Sequence, residues 1–492
     1  MEQTIRIPAQ SSTIELVRRL GLITSITIVI GSMIGSGIFK KPAVMSAQLG
    51  SPELLIAVWV IAGVMTLFGA LTNAEVASMI PVAGGQYVFF NKIYNNFVGY
   101  LYGWATFAVI QTASLASIAF VFSEYLGYFV RYPHFSETIE KFSIMIPFIG
   151  HIFPLADFGT KSVAILAILF LTTVNYFGVR FGGIVQNIFT VLKVAAIASL
   201  VLLGFTVGNG SISHFTSPTS FSHFQNLGGL LAAMLVAMSG AFWAYDGWNN
   251  ITWVAGEIKN PQRNLPRAMF VGTAIVISIY VVTNLAYLYI LPVETMAKSK
   301  LVAADVAEAF LGKYGGSFIA VAVMTSTFGT LNGSILSTAR VFYAMAKEKM
   351  FFRKIAVVHP VYRTPGPSLF LQALWTSFLV LSGTFDQLTD MLVFVAWVFY
   401  SMGAFGVFVL RKKMADVERP YRVWGYPAVP IIFVAFAVIY VVFTVYSDIS
   451  NYTNGNTPII NSVMGLLLVV IGIPGYVYWR RKQKAEVRFL EK

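Results

Sequence analysis

Apolar runs long enough to cross a bilayer recur along this chain, separated by short charged or Gly/Pro/Asn segments. A spanning helix takes about 20 apolar residues. The pattern predicts twelve spans, the first six at roughly 20–46, 54–80, 97–130, 161–178, 184–206 and 228–256. Six more follow at roughly 267–291, 316–346, 367–384, 388–410, 427–447 and 459–479. The runs are continuous rather than alternating, which argues against a transmembrane barrel. The third and eighth are overlong and are expected to tilt or project from the bilayer. The longest external segment, about 131–160, holds a second apolar stretch from Phe142 to Ile149. It is expected to lie folded on the protein, with a re-entrant hairpin the lesser alternative.

Composition agrees. Of 492 residues, 57% are hydrophobic and 11% charged, against about a quarter charged in a soluble domain. One water-soluble core cannot hide that much apolar surface, and disorder needs the opposite balance. Cysteine is absent, which excludes disulfides and thiolate metal sites. The five histidines lack metal-ligand spacing and no phosphate-binding loop is present, so no cofactor and no ATP-driven step are expected. A net charge of +13 raises the question of nucleic acid. Its distribution answers otherwise. With both termini cytoplasmic, 25 Lys/Arg fall on internal segments and 8 on external ones, with Lys193 inside a span. That is a strong positive-inside bias, and clusters such as Arg411-Lys412-Lys413 and Arg480-Arg481-Lys482 then face anionic lipid. Arg6, Arg18 and Arg19 precede the first span, whose end carries no small-residue cleavage site. It is read as an uncleaved helix rather than a signal peptide.

Two spans have broken centres. The first reads Gly31-Ser-Met-Ile-Gly35-Ser36-Gly37-Ile-Phe39, and each interior glycine costs a helix about 1 kcal/mol relative to alanine. Unwound backbone in a membrane persists only where protein buries it or a wet cavity adjoins it. Close packing through Gly31 and Gly35 is the alternative. The sixth reads Ser239-Gly240-Ala-Phe242-Trp243-Ala244-Tyr245-Asp246-Gly247-Trp248-Asn249-Asn250. An aspartate there is a functional candidate by default, or a cap of the second half-helix. Interruptions at matching places in two halves point to an inverted-repeat transporter. Half-helix N-termini suit an anionic group and C-termini a cationic one. Together they suit a zwitterion, and an amino acid is the obvious one.

Several spaced motifs carry a resemblance covering nearly the whole chain. Gly35-Ser36-Gly37-Ile38-Phe39, Trp243-Ala-Tyr-Asp-Gly-Trp248, Glu257-Ile-Lys-Asn-Pro261-Gln-Arg263-Asn-Leu-Pro266, Pro81-Val-Ala-Gly84-Gly85-Gln-Tyr87 and Glu418-Arg-Pro420-Tyr are involved. The sequence resembles the L-type amino acid transporter family of the amino acid–polyamine–organocation superfamily. The resemblance implies an all-α integral membrane fold of twelve transmembrane helices. Two inverted five-helix repeats (about 20–206 and 228–410) with broken helices 1 and 6 are followed by helices 11 and 12 (about 427–479). It implies that amides around Gly35, Ser36 and Gly37 hold the substrate carboxylate. Carbonyls around Ile34, Trp243, Ala244 and Asp246 would hold the amine, and Trp243 would lid the substrate. Members pairing with a heavy subunit use a cysteine after helix 3. This chain has none, so no disulfide-linked subunit is expected.

Single residues divide less cleanly. Lys193 lies about nine residues into the fifth span, or roughly 14 Å deep. The resemblance gives a lysine there the place of a coupling sodium ion, whereas a snorkelling lysine is the alternative. Asn332, in Asn332-Gly333-Ser334, is expected near the site or in an interhelical hydrogen bond. Glu75 is expected to pair with a cationic neighbour. Gln111, Ser114, Trp397 and Tyr400 are candidate pocket residues, although aromatics in spans usually pack. Glu257 and Arg340 are expected at similar internal depth and are a candidate inner-gate pair. The function expected is a sodium-independent exchanger of neutral, with cationic as an extension, L-amino acids in a bacterial plasma membrane. A proton-coupled symporter through Lys193 or Asp246 is the rival, and a receptor or channel the remote one. An enzyme would need a nucleophile–base pair or metal cluster at one depth, and neither is found.

Overall fold

The computed structural model describes residue 18 and residues 20–82, 84–177, 182–216, 224 and 226–490, with residues 182–190 and 486–490 described as backbone only. Arg6 and Arg19 lie outside the described residues. The chain opens with α1 (Leu22–Met33) and α2 (Gly37–Leu49), two arms of one span bent by 44°. The long α3 (Pro52–Met79) leads to a short α4 (Gly85–Ile93). Next, α5 (Asn96–Ala105) and α6 (Gln111–Leu126) join through a π-helical turn, Thr106–Ile110, into one 31-residue span. The overlong third run is therefore a continuous helix.

Residues 131–160 hold the single turn α7 (Glu137–Glu140) and an antiparallel hairpin of β1 (Ile144–Ile146) and β2 (Gly150–Ile152). The hairpin is strapped down at its far side. The His151 amide donates to the Pro458 carbonyl at 2.7 Å, and the Ile460 amide to the Ile149 carbonyl at 2.9 Å. The second apolar stretch is thus the hairpin, lying on the protein rather than re-entering.

There follow α8 (Phe158–Tyr176), α9 (Gly182–Thr206), α10 (Leu227–Tyr245), a 3-10 segment Asn250–Glu257, α11 (Pro261–Ile290) and α12 (Val293–Lys298). The 46-residue α13 (Val302–Lys347) is interrupted at Gly312, whose φ of 63° only glycine adopts readily. The rest comprises α14 (Gly366–Ser382), α15 (Phe385–Lys413), α16 (Ala428–Thr453), α17 (Asn461–Val470) and α18 (Gly472–Leu490). Among the described residues, nine helices are long and apolar enough to cross a membrane, ten with the bent pair. Two shorter apolar helices, Val191–Thr206 and Gly366–Ser382, coincide with the fifth and ninth predicted runs.

Packing puts the broken spans at the centre. The arm α1 packs on α11, α2 on α10, and α10 on α3. Around them α6 packs on α13, α15, α8 and α14, while α13 packs on α9 and α8. One buried ion pair braces the C-terminal ends of α3 and α15. Glu75 on α3 receives Arg411 Nε at 2.9 Å and Nη2 at 2.7 Å, and the Val423 amide at 2.8 Å. This two-pronged guanidinium–carboxylate geometry fixes orientation as well as distance.

Candidate substrate-binding site

The first break follows from its glycines. Ile34 is extended (φ −71°, ψ 97°), and α2 restarts at Gly37 with Ser36 as its N-cap. The Ser36 hydroxyl makes no capping bond and is buried without a partner. Amides in the first turn of a helix lack intrahelical acceptors. Here they form the positive end of a half-helix dipole, with no side chain capping them.

The second break faces it. Asp246 ends α10 in an extended conformation (φ −63°, ψ 154°), and Gly247 takes φ +101°. The two breaks touch through backbone. A Cβ on Gly37 would stand 2.5 Å from the Ala244 Cα, and one on Gly247 would stand 2.7 Å from the Ser32 carbonyl oxygen. Glycine at both positions is thus dictated by close approach, and at Gly247 by its positive φ as well.

Carbonyls around the first break are collected by donors from neighbouring helices. Lys193, on α9 and 1% exposed, donates its ammonium to the Gly31 carbonyl at 2.7 Å. Tyr280 on α11 donates to the Met33 carbonyl at 2.8 Å, Tyr125 on α6 to Phe39 at 2.9 Å, and Tyr287 on α11 to Ile38 at 3.4 Å. The sequence signals Lys193 by its depth. It does not signal the tyrosines, since a buried tyrosine in a span reads as packing until its hydroxyl partner is seen.

The remaining candidates separate into groups. Trp243 is 7% exposed, with its indole N–H buried and unpaired and its ring edge-on to Phe385 at 6.4 Å. Asp246 accepts a 2.6 Å hydrogen bond from the Tyr400 hydroxyl, so α15 reaches the second break. Trp397 lies in an aromatic stack with Phe242 at 3.9 Å and with Phe433, Phe436 and Tyr440, packing α10, α15 and α16 together. Gln111 accepts from the Thr338 hydroxyl at 3.4 Å, and Ser114 is half-buried beside it on α6. Asn332 accepts from Asn175 at 2.8 Å, an interhelical bond between α13 and α8. Among the described residues Glu257 and Arg340 form no ion pair in this arrangement. The start of the first span and the end of the 3-10 segment are tied through backbone, the Leu20 amide to the Glu257 carbonyl at 2.9 Å and the Lys259 amide to the Leu20 carbonyl at 2.8 Å.

Two glycine-opened spans crossing at one point, with amides at one arm and carbonyls at the other, form a polar centre inside an apolar bundle. The sequence profile described as amino acid permease matches residues 20–473. The chain belongs to the amino acid permease family. This permease is 32% identical to the serine/threonine exchanger SteT of Bacillus subtilis, over 95% of this chain and 98% of the relative. It is 31% identical to the human large neutral amino acids transporter small subunit 2, over 97% of this chain and 84% of the relative. With the human b(0,+)-type amino acid transporter 1 the identity is 30%, over 84% and 80%. The permease is a multi-pass membrane transporter and not an enzyme. Its sequence holds no cysteine with which to make a disulfide to another subunit.

Proposed function

We propose that this permease exchanges neutral L-amino acids across the membrane, independently of sodium, by alternating access around the crossed breaks. Amides at Gly35, Ser36 and Gly37 take the carboxylate, and carbonyls around Ile34, Trp243, Ala244 and Asp246 take the ammonium. Trp243 closes over the substrate. The observation that carries sodium independence is the 2.7 Å bond from Lys193 to Gly31. A resident ammonium there supplies the positive charge that a coupling cation would otherwise bring to the broken helix. The bond between Tyr400 and Asp246 supports neutral substrates, because the carboxylate already has a donor. The relatives named for serine/threonine and for large neutral amino acids support the same class.

The proposed architecture is twelve spans in two inverted five-helix repeats, about 20–206 and 228–410, with two more helices at 427–479. Its support is reciprocal packing: α1 on α11 is matched by α10 on α3, and α13 on α9 by α6 on α15. The charge bias supports both termini on the cytoplasmic side. A bacterial plasma membrane suits the similarity to the Bacillus exchanger.

The test is uptake of labelled serine into proteoliposomes, with and without internal amino acid, sodium and a pH gradient. Exchange predicts acceleration by internal amino acid and indifference to sodium. Strong uptake into empty vesicles driven by a proton gradient alone would replace it with a symporter.

A further inference from the structure

The external segment 131–160 has a place in the fold that the exchange reading leaves unused. It roofs a cavity of about 650 Å³. His151 and Phe153 form part of the roof, with Pro458 from the α16–α17 connection. The roof is held down by Lys161, whose buried ammonium donates to the Phe153 carbonyl at 2.6 Å. The floor is Lys40 of α2, Glu124 of α6 and Phe385 of α15. Lys40 and Glu124 form an ion pair at 2.7 Å, with side chains 14% and 25% exposed. Lys40 also donates to the Lys300 carbonyl at 3.4 Å and lies 5.8 Å from the Phe385 ring centroid. The Phe385 ring in turn meets Trp243.

This pair lies between the cavity and the crossed breaks. Lys40 is three residues from Gly37 on α2, about 4.5 Å along the axis. The adjacent Lys41 differs in setting. Its ammonium is 2% exposed and held by both Asp386 and Thr389, each at 2.7 Å. Lys41 anchors α2 to α15, while Lys40–Glu124 is the wetter contact and the one reachable from the cavity.

Separating Lys40 from Glu124 leaves two partly buried charges without partners, which is unfavourable. A solute with one charge removes half of that cost and leaves the other group bare. A zwitterion removes both halves at once. We propose that the cavity receives the amino acid zwitterion and that the Lys40–Glu124 pair is the outer latch it opens. The carboxylate takes the place of Glu124 on Lys40, and the ammonium takes the place of Lys40 on Glu124. Freeing Lys40 loosens the α2–α6 contact beside Phe385, whose ring lies 5.8 Å from Lys40 and 4.7 Å from the anchored Lys41 and meets Trp243. The latch rests on the amino acid exchange reading and extends it to recognition before the central site.

The native chain is already cysteine-free, so one introduced thiol reports on the path beneath the latch. The reporter is Ser114→Cys on α6, half-buried and away from the carboxylate-binding amides. Labelling by a membrane-impermeant thiol reagent would be timed alone and with serine, N-acetylserine or ethanolamine. Serine is expected to accelerate labelling, and the two single-charge analogues are not. In K40Q/E124Q the unaided rate should rise about fivefold, the upper end for a partly exposed pair, and serine should accelerate it no further. The swap K40E/E124K should return the slow unaided rate. Unaided labelling of K40Q/E124Q at the native rate, failure of serine to accelerate labelling in the paired protein, or equal acceleration by either analogue would each overturn the latch. Exchange flux, measured separately, judges the transport reading, so the two failures are distinguishable.

Discussion

Replacing Lys193 with methionine keeps an unbranched stem of similar length in place and removes the ammonium. The bond lost is charge-assisted, 2.7 Å long, and made to a carbonyl at a helix break, by a side chain 1% exposed. Hydrogen bonds to charged groups contribute about 1.5–3 kcal/mol, and an orphaned buried acceptor costs about as much. Because the stem volume is nearly conserved, little cavity cost is added. If the whole loss falls on the closed, substrate-bound arrangement, exchange should slow by roughly tenfold to a hundredfold, at about 1.36 kcal/mol per factor of ten. The assay is serine exchange in sodium-free proteoliposomes at matched protein, with size-exclusion profiles showing the variant intact. The smaller Lys193→Ala variant leaves room beside Gly31, and sodium should partly restore its exchange. Lys193→Met exchanging within twofold of native, or Lys193→Ala staying indifferent to sodium, would refute the claim that the ammonium stands in for a cation.

Three further outcomes are expected. Gly37→Ala forces a Cβ to within 2.5 Å of the Ala244 backbone and should lower the thermal midpoint and abolish exchange, whereas Gly35→Ala, whose nearest neighbour would be 3.9 Å away, should keep native stability. Trp243→Ala should cut exchange at least tenfold in a folded protein, since the ring meets Phe385 and its indole N–H is unpaired; normal exchange would remove it from the closing group. Asp246→Asn and Tyr400→Phe, assayed with serine and arginine in parallel, should lose both fluxes equally, because the carboxylate is already bonded to Tyr400; selective loss of arginine flux would assign it to the substrate side chain.

The breaks are legible in the sequence because glycine acts locally. Three glycines within seven residues of the first span (Gly31, Gly35 and Gly37) and the Asp246-Gly247 step in the sixth mark where the helices open. Lys193 is legible because a charge at mid-span is rare. What could not be read is whatever depends on which helices meet. Tyr125, Tyr280 and Tyr287 reach the first break from α6 and α11, more than 80 residues away in sequence. Lys40 and Glu124 lie on different spans, and nothing local to either foretells their contact. Trp397 and Tyr400 carry the same pattern in one span, yet one stacks among aromatics and the other bonds Asp246. Three residues of helix, about 300° of rotation, separate those fates. The eighth run, 316–346, is overlong because α13 runs on without a second break from Gly312 to Lys347.

The close contact of Gly37 with Ala244, and of Gly247 with Ser32, has a mechanical meaning. Each broken span is a lever with an outer and an inner arm, and the two levers are pinned where they cross. Backbone against backbone leaves no side chain to flex and absorb a displacement, so the pin transmits motion instead of damping it. A tilt that draws α2 and α10 together at one end is therefore geared to α1 and the 3-10 segment at the other. On the alternating-access reading proposed above, a carrier built on one such fulcrum has a single coordinate for both of its doors, and opening one is the same movement as shutting the other.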